Sequence, residues 1–490
     1  MPLTKKIALA SVGIAPFILV GCVGEGASIP SASAPISQTE AQQGSQAHPQ
    51  LLAEFGGTYR GPQAAYVEQV GKNIAVQSGL GNARGSFTVS LLNSSVNNAF
   101  AIPGGYIYTT RQLVGLMNNE AELAGVLGHE VGHVAARHSQ RRQAAAQKNT
   151  LFGAAGAILS SVLLGNSGIG ETLSKGFLQG SQLLTLKFSR SQELQADELG
   201  IQYLTKAGYD PRAMATVLQS LAAQNALDAS LQGSKSSVPE WASTHPDPAG
   251  RVQTAMSKAG QGVGTLNRDT FLNRIDGLMY GDDPAQGVIE GRQFMHPEFR
   301  LAFTAPAGFY MVNQARAVSI NGQSGQAKLS TASYSGNLEA YVRNVFTQLG
   351  GKNQNLAPST LNRTRVNGLP ATIGKAIVNN GNNRLDVTVF AYEFSKNQAF
   401  HFSVISKAGQ SGTFTPMFKS MQRITAAQAA GVIPRRIDIV TVRRGQTVRA
   451  LAKQMAYPTL QEQRFRVLNG LKSADTITAG QKVKIVVKSR

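Results

Sequence analysis

The sequence is poor in cysteine and in acidic residues. Its one cysteine, Cys22, cannot form a disulfide within the chain, so the fold is not a disulfide scaffold. Asp and Glu number 27 against 47 Lys and Arg, which gives a formal net charge of +20. A charge of this size favours anionic partners, which would be either nucleic acid or an anionic lipid or cell-wall polymer. The basic residues are scattered and no nucleic-acid-binding signature is present, so we expect a solvated basic surface and no nucleic-acid partner.

The N-terminus lacks an apolar run of comfortable membrane-spanning length. Residues 7–20 are apolar, short, interrupted by Gly and Pro, and preceded by Lys5 and Lys6, which is typical of a signal peptide. The following Leu19-Val20-Gly21-Cys22 resembles a bacterial lipobox, although an ordinary signal with a chance cysteine is the alternative. We therefore expect a signal peptide over residues 1–21 and a lipid anchor on Cys22. The protein would then lie at the periplasmic face of a membrane, and Val23 favours the outer membrane by analogy with enteric sorting.

The length of 490 residues exceeds what one compact core accommodates, so several domains are expected. Residues 22–50 are rich in Ser, Ala, Gln, Gly and Pro without hydrophobic periodicity, which predicts a flexible tether. Residues 51–285 have a mainly helical pattern, and residues 290–425 have short β-like runs around one helical stretch. Residues 437–488 have a β-α-α-β pattern. Together these segments predict a multidomain α+β protein.

The residues with the clearest chemistry are His129-Glu130-Val131-Gly132-His133. They lie in a predicted helix over residues 120–142, with Asn118-Asn119 as its N-terminal cap. A helix places positions i and i+4 on one face, so His129 and His133 can reach one metal ion. Glu130 can then take a proton from a metal-bound water. The motif alone does not decide the matter, because two histidines on a helix can also be surface or core residues.

A second helical stretch, predicted over residues 189–207, carries Glu193 and Asp197, again at positions i and i+4. One carboxylate can complete a two-histidine, one-carboxylate zinc site, while the other accepts the free N–H of a ligand histidine. Isolated helical carboxylates are usually solvated charges, but the upstream histidines favour the metal-site interpretation. His138 lies too far along the helix to bind the same ion, and we expect it at the surface.

These residues belong to a larger set of four segments. The segments are Asn98-Ala99-Phe100-Ala101 with Pro103-Gly104-Gly105-Tyr106-Ile107, the His129 motif, Glu193 to Asp197 with Gly200, and Ser243-Thr244-His245-Pro246 followed by Arg251. As a set they resemble the gluzincin metallopeptidase family that includes HtpX, the CAAX-prenyl proteases and BepA. The resemblance implies a zincin-type peptidase domain that binds one Zn²⁺ per chain through His129, His133 and Glu193. It also implies that Asp197 contacts His129.

The same resemblance implies roles for further residues. His245 would stabilise the oxyanion or occupy the fourth zinc position in a resting state, and Arg251 would contact the substrate or the oxyanion. The alternative is a structural His-Pro turn with an ion-paired arginine. The segment of Gly104, Gly105 and Tyr106 is expected to be a strand at the cleft edge, which extended peptide substrates join. Residues 151–169 are apolar and Gly/Ser-rich, which favours a packed helix or a lid over a membrane-dipping segment.

Residues 294–424 contain no metal-binding or nucleophile pattern in their sequence. Residues 290–425 resemble a PsbP-like α+β domain, which implies a binding or scaffolding role. Residues 437–488 resemble a LysM module and so imply a peptidoglycan partner, but Gln446 stands where Asp is common and the surface is basic. Anionic envelope polymer or a protein is the alternative partner of this module.

The sequence thus predicts a zinc-dependent endopeptidase of the bacterial cell envelope that hydrolyses misfolded or misassembled envelope proteins, with Glu130 as general base. One alternative is an envelope assembly or binding lipoprotein whose zinc site is regulatory or silent. Another is a cell-wall-anchored protein in which residues 437–490 do the essential work.

Overall fold

The computed structural model describes residues 34–81, 84–142, 188–232, 244–350, 356–380 and 383–489. The predicted signal peptide, Cys22 and the apolar segment 151–169 lie outside the described residues. Within them, no helix is both long enough and apolar enough to cross a membrane.

The first helix replaces part of the predicted tether. Helix α1 spans Gln38–Glu54 and begins at a capping box, in which Ser37 accepts from the Glu40 N–H and the Glu40 side chain accepts from Ser37. Leu51 and Phe55 anchor it to the adjacent strands in a small apolar cluster. The expectation of a flexible tether up to residue 50 is therefore wrong for this segment. The polar composition of this segment favours a tether, but the segment forms a capped helix that buries Leu51.

Helices and three strands form the first part of the fold. The helices are α2 (Gln63–Ala75), α3 (Arg111–Leu116), α4 (Glu120–Ala135), α5 (Arg190–Lys206), α6 (Ala213–Gln232), α7 (Pro248–Ala259) and α8 (Arg268–Ile275). The strands are β1 (Thr88–Leu92), β2 (Ala99–Ile102) and β3 (Tyr106–Thr110). They form a sheet in the order β1-β3-β2, in which β3 is parallel to β1 and antiparallel to β2.

Helix α4 is buried along nearly its whole length, since α2, α5, α6 and the sheet surround it. It begins at Asn119, whose side chain accepts from the Glu122 N–H, as the sequence predicts. It ends at Ala135 and not at residue 142, because Arg137 has a left-handed backbone conformation with φ of 51°. Residues 138–142 resume as a separate helical turn.

Glycines let α4 and α5 cross in close contact. A Cβ atom on Gly200 would lie 2.5 Å from Met214 Cε and 3.1 Å from the His129 backbone nitrogen. A Cβ atom on Gly132 would lie 3.0 Å from the Ala196 carbonyl oxygen. Larger residues at these positions would push the two helices apart. This close approach brings the residues of α5 within reach of the histidines on α4.

The middle of the chain is mainly antiparallel sheet. Its strands are β4 (Val288–Glu290), β5 (Gln293–His296), β6 (Leu301–Thr304), β7 (Tyr310–Gln314), β8 (Ala317–Gly322), β9 (Gly325–Thr331), β10 (Thr360–Val366), β11 (Leu369–Asn380), β12 (Asn383–Ser395), β13 (Gln398–Lys407) and β14 (Gln422–Arg423). A seven-stranded sheet has the order β10-β11-β12-β13-β9-β8-β7, and a four-stranded sheet has the order β14-β6-β5-β4. The accompanying helices are α9 (Leu338–Gly350), α10 (Thr415–Ser420) and α11 (Ala426–Ala430). Helix α9 packs on β11 and β12.

The C-terminal segment has the predicted β-α-α-β order. It comprises β15 (Arg435–Thr441), α12 (Val448–Ala452), α13 (Gln461–Leu468) and β16 (Lys482–Lys488). Its apolar residues, among them Phe465 and Val486, belong to the same hydrophobic cluster as those of α2 to α8. The C-terminal segment therefore shares a core with the first part of the chain.

One buried lysine joins these two parts. Lys484 is fully buried, and its Nζ donates to the carbonyl oxygens of Gly115, Leu116 and Met117 at 2.9, 3.2 and 2.5 Å. It thereby caps the C-terminal end of α3 immediately before α4 begins. Burial lowers the pKa of Lys484, whereas the nearby carboxylate of Glu122 opposes this shift.

Replacement of this lysine should destabilise the protein. We expect Lys484→Met to lower the free energy of unfolding by about 2–4 kcal/mol, because three buried carbonyls lose their donor and Glu122 loses a nearby cation. Urea denaturation of the full chain measures the change. Lys488→Met on the same strand is the matched control, since Lys488 is 47% exposed and pairs with Glu290 at the surface. It should cost less than about 1 kcal/mol. Equal stability of the two variants would contradict a bracing role for Lys484.

Candidate metal centre

The two histidines of α4 point their Nε2 atoms toward a common centre. These atoms lie 3.0 Å apart, and both rings are almost completely buried. The Nδ1 atom of His129 faces outward from this centre and lies 2.8 Å from Asp197 Oδ1. The spacing of four residues thus places both imidazoles on one helix face, as the sequence predicts.

Helix α5 contributes the first carboxylate. It begins at a capping box of Ser189 and Gln192, so Glu193 and Asp197 lie in its first two turns, facing α4. Glu193 Oε1 is 3.4 Å from His133 Nε2, and Glu193 Oε2 is 3.6 Å from His129 Nε2. Glu193 thus faces the centre itself, whereas Asp197 faces the outer nitrogen of His129. The structure brings together all three predicted zinc ligands and the predicted partner of His129.

His245 completes the cluster. Its Nδ1 atom lies 3.4 Å from His129 Nε2 and 3.2 and 3.3 Å from the two Glu193 oxygens. One donor atom from each of His129, His133, Glu193 and His245 lies within 4.8 Å of the others, and all four side chains are buried. The structure therefore places His245 against the three proposed ligands.

Glu130 lies beside this cluster and is 1% exposed. Its Oε1 atom is 3.5 Å from His245 Nε2 and has no hydrogen-bond partner among the described residues. Burial raises the pKa of the Glu130 carboxyl, although electrostatic interactions with His245 and His129 oppose this rise. A buried carboxylate without a hydrogen-bond donor is available to accept a proton from water.

Arg251 pairs with the carboxylates of the site. Its Nε donates to Asp197 Oδ2 at 2.8 Å and its Nη2 to Asp197 Oδ1 at 2.6 Å, while its Nη1 donates to Glu193. The guanidinium is 1% exposed. This geometry corresponds to the ion-paired alternative and not to an arginine that faces a substrate. Through these hydrogen bonds, Arg251 holds the carboxylates of Glu193 and Asp197 in position.

The charges of the centre influence one another strongly. Burial alone would raise the pKa of the Glu193 carboxyl, but His245, His133 and His129 outweigh it and hold that pKa well below its usual range. Burial lowers the pKa of His133 well below its usual value. Burial also acts to lower the pKa of His245, but the carboxylates of Glu193 and Glu130 overcome it and raise that pKa. The site therefore favours an ionised Glu193 and a positive charge on His245.

The donor set fits a zinc ion. Two imidazole nitrogens and one carboxylate converge from two rigid helices, which is the ligand combination of catalytic zinc sites with an open fourth position. Asp197 orients His129 through the ring nitrogen that does not face the centre, as an outer carboxylate does in such sites. Glu193 and Asp197 also share one buried arginine, which leaves a negative charge that a cation would offset.

His138 is buried and not at the surface, which corrects the expectation from the sequence. Its exposed fraction is 0%, its Nδ1 lies 2.8 Å from His133 Nδ1, and its Nε2 lies 3.0 Å from Gln195 Oε1. The sequence predicts one continuous helix over residues 120–142, whereas the left-handed turn at Arg137 redirects the chain.

Sequence reasoning also missed Phe188. Its ring stacks on that of His133 with 3.9 Å between ring centroids, and its backbone N–H donates to the Thr244 carbonyl at 3.3 Å. Phe188 thereby covers one side of the cluster and links the start of α5 to the residue before His245. Its position immediately before the helix cap at Ser189 was the only available signal.

The expected substrate-binding strand is also corrected. Gly104 and Gly105 form the turn between β2 and β3, with φ of 90° and 80°, and Tyr106 begins β3. Strand β3 is the central strand and is paired on both sides, so it cannot receive a peptide. Two consecutive glycines with positive φ reverse the chain instead of extending it. Among the described strands of this sheet, β2 is the one that packs beside α4 with one side unpaired.

Comparison with known proteins identifies two segments of the chain. Residues 62–259 match the model of peptidase family M48, and residues 440–486 match the model of the LysM domain. The beta-barrel assembly-enhancing protease of Yersinia pestis is 34% identical over 199 residues, which are 40% of this chain and 39% of that protein. The same-named protein of Escherichia coli K12 is 33% identical over the same shares of both chains.

A mitochondrial relative is more distant. The mitochondrial metalloendopeptidase OMA1 of Schizosaccharomyces pombe is 29% identical over 211 residues, which are 42% of this chain and 57% of that protein. The matched part thus spans about two fifths of the length of the bacterial relatives. The match contains the cluster of His129, His133, Glu193 and His245. Within this multidomain α+β chain, residues 62–259 are a peptidase family M48 domain and residues 440–486 are a LysM domain.

Proposed function

We propose that this protein is a zinc-dependent endopeptidase of the bacterial cell envelope. The observation that carries the proposal is the buried convergence of His129, His133 and Glu193, with the Glu130 carboxylate beside them and its Oε1 atom accepting no hydrogen bond among the described residues. The membership of residues 62–259 in a peptidase family supports it.

The residues around the centre define a hydrolytic mechanism. Bound zinc would polarise the substrate carbonyl and acidify water. Glu130 takes a proton from the attacking water and returns it to the leaving amine, for which a pKa raised by burial is favourable. Asp197 and Arg251 keep the ligand side chains oriented during this cycle.

His245 is proposed to regulate access to the centre. Its Nδ1 lies within 3.4 Å of the ligand atoms of His129 and Glu193, so it would supply a fourth ligand to a bound zinc ion. A closed fourth position excludes the catalytic water, so His245 has to withdraw before hydrolysis. Arg251 is assigned no contact with substrate in this proposal, since its nitrogens already bind carboxylates.

The substrate is proposed to be an extended segment of an unfolded or misassembled envelope protein. Such a segment would add to the unpaired side of β2, the edge strand that packs beside α4, as peptides do at other sheet edges. The relatives named for beta-barrel assembly suggest envelope substrates. Main-chain pairing also tolerates many side chains, which suits a protease that acts on misfolded proteins.

The remaining assignments concern location and domain organisation. We propose a signal peptide at residues 1–21 and lipidation of Cys22, which would hold the protein at the outer membrane facing the periplasm. The peptidase domain would occupy residues 51–285, together with α1, and a PsbP-like domain of binding or scaffolding role residues 290–425. The LysM domain would occupy residues 437–488 and bring the protease to peptidoglycan.

A second candidate function is an assembly or binding lipoprotein whose zinc site is regulatory. The position of His245 against the ligands favours this candidate, because a permanently closed site would be silent. A role carried by the tail alone is harder to isolate, since residues 437–490 share the core of the peptidase part and their removal would disturb both.

Removal of the general base should abolish hydrolysis. Glu130→Gln should lower the rate of casein cleavage by about 10²–10⁴-fold, since no group remains to take the proton from water. Zinc content by mass spectrometry should stay near one per chain, because Glu130 is not a ligand in this proposal. Glu198→Gln is the matched control, since Glu198 is 47% exposed on α5 and pairs with Lys258.

Two outcomes would count against the endopeptidase. Zinc far below one per chain in the native protein, with no activity after zinc is added to chelated samples, would contradict it. Full complementation of a deletion strain by Glu130→Gln would show that hydrolysis is dispensable, which favours the assembly factor.

Release of the fourth position should raise activity. We expect His245→Ala to increase kcat several-fold on unfolded protein substrates at saturating zinc, because the side chain that closes the site is gone. His296→Ala, a buried histidine of the middle sheets, is the control and should leave kcat unchanged. A large fall in kcat with normal zinc content would instead assign His245 to the stabilisation of the oxyanion.

A further inference from the structure

We propose that His138, held by Gln195, is the residue that orients the zinc ligand His133. This inference rests on the proposed zinc site and extends it. It assigns His138 as a positioning residue, since it would act on the metal only through His133.

The two ligand histidines have the same arrangement. Each directs Nε2 to the centre and Nδ1 away from it. The Nδ1 of His129 meets a carboxylate, Asp197 Oδ1, at 2.8 Å. The Nδ1 of His133 meets His138 Nδ1 at the same distance of 2.8 Å. His138 thus occupies for His133 the place that Asp197 occupies for His129.

Hydrogen-bond chemistry determines where the protons lie along the hydrogen-bonded row of His133, His138 and Gln195. A ligand imidazole binds metal through the lone pair of Nε2, so its Nδ1 carries the proton and donates it. His138 Nδ1 must therefore accept, which places the proton of neutral His138 on Nε2. From there it donates to Gln195 Oε1 at 3.0 Å. Each donor meets an acceptor along the sequence His133, His138, Gln195.

The backbone explains how His138 reaches this place. Five residues along an ideal helix would put it about 7.5 Å further along the axis and about 140° around it from His133. The left-handed conformation of Arg137 breaks the helix and folds His138 back beneath His133. Arg137 is held there by its own contacts with Ala135 O at 3.0 Å, Ala34 O at 2.8 Å and Glu40 Oε1 at 3.3 Å.

The alternative is a buried histidine that only fills space. A space-filling role would not require both ring nitrogens of His138 to meet hydrogen-bond partners, which here are the proposed ligand His133 and Gln195. It also would not require a strained turn at Arg137, since a non-glycine residue with φ of 51° costs about 1 kcal/mol or more. The geometry therefore favours a positioning role.

Zinc affinity of the folded protein tests the proposal independently of activity. Zinc is removed from the full-length chain, and competition with a chromophoric chelator gives the dissociation constant for each variant. His138→Leu, which cannot accept from His133, should bind zinc about 10–100-fold more weakly. His138→Gln retains an acceptor oxygen and should recover most of the affinity. Gln195→Ala should weaken binding by a smaller factor, since it removes only the outer partner.

The controls separate positioning from folding. The absorption spectrum of the Co²⁺ form should change in His138→Leu, because His133 would be free to rotate. His401→Leu, another buried histidine, bonded to Tyr341 and Ser330 in the seven-stranded sheet, should bind zinc as the native protein does. Thermal unfolding of the metal-free proteins reports any loss of the fold itself.

Each result decides a specific point. Native affinity and an unchanged Co²⁺ spectrum in folded His138→Leu would overturn the role of His138 while leaving the zinc site intact. Absence of zinc binding by the native chain would instead contradict the proposed function. If His138→Leu does not fold, Gln195→Ala decides, and native zinc affinity in this variant would overturn the proposal.

Discussion

The close crossing of α4 and α5 is the constraint on which the rest of the structure depends. The two helices supply all three proposed ligands. Gly132 and Gly200 permit the contact, because a Cβ atom on Gly132 would lie 3.0 Å from the Ala196 carbonyl oxygen and one on Gly200 would lie 3.1 Å from the His129 backbone nitrogen. A separation of one methyl group would move Glu193 away from both imidazoles, so packing at two glycines controls the geometry of the metal centre.

Electrostatics add a second requirement to this packing. Glu130, Glu193 and Asp197 are buried together, and Arg251 donates hydrogen bonds to Glu193 and Asp197. Ionised carboxylates that are buried must be paired or bound to metal. The carboxylates of Glu193 and Glu130 raise the pKa of His245, which favours a positive charge on its ring beside them. The negative charge of Glu193 therefore stabilises the inward position of His245, and it would also favour a bound divalent ion.

Local patterns explain which parts of the site could be predicted from the sequence. The pairs His129–His133 and Glu193–Asp197 follow from helix periodicity, and the caps at Asn119 and Ser189 follow from side-chain hydrogen bonding. The errors come from backbone conformations that composition does not encode. A left-handed arginine buries His138, which was expected at the surface, and two glycines form a turn where a strand was expected. The shared core of the two ends of the chain is likewise a tertiary property, which no local pattern reports.

Segments outside residues 62–259 brace α4 at both ends. At its C-terminal end, Glu40 of α1 pairs with Arg137, whose conformation sets the position of His138. At its N-terminal end, Lys484 of the LysM domain binds the carbonyls that precede α4. A helix fixed at both ends holds its histidines within the narrow tolerance that metal binding needs. The peptidase domain therefore cannot be regarded as independent of its flanking segments. Because the LysM domain helps to hold α4, it has a structural role in this protein, whether or not it also binds glycan.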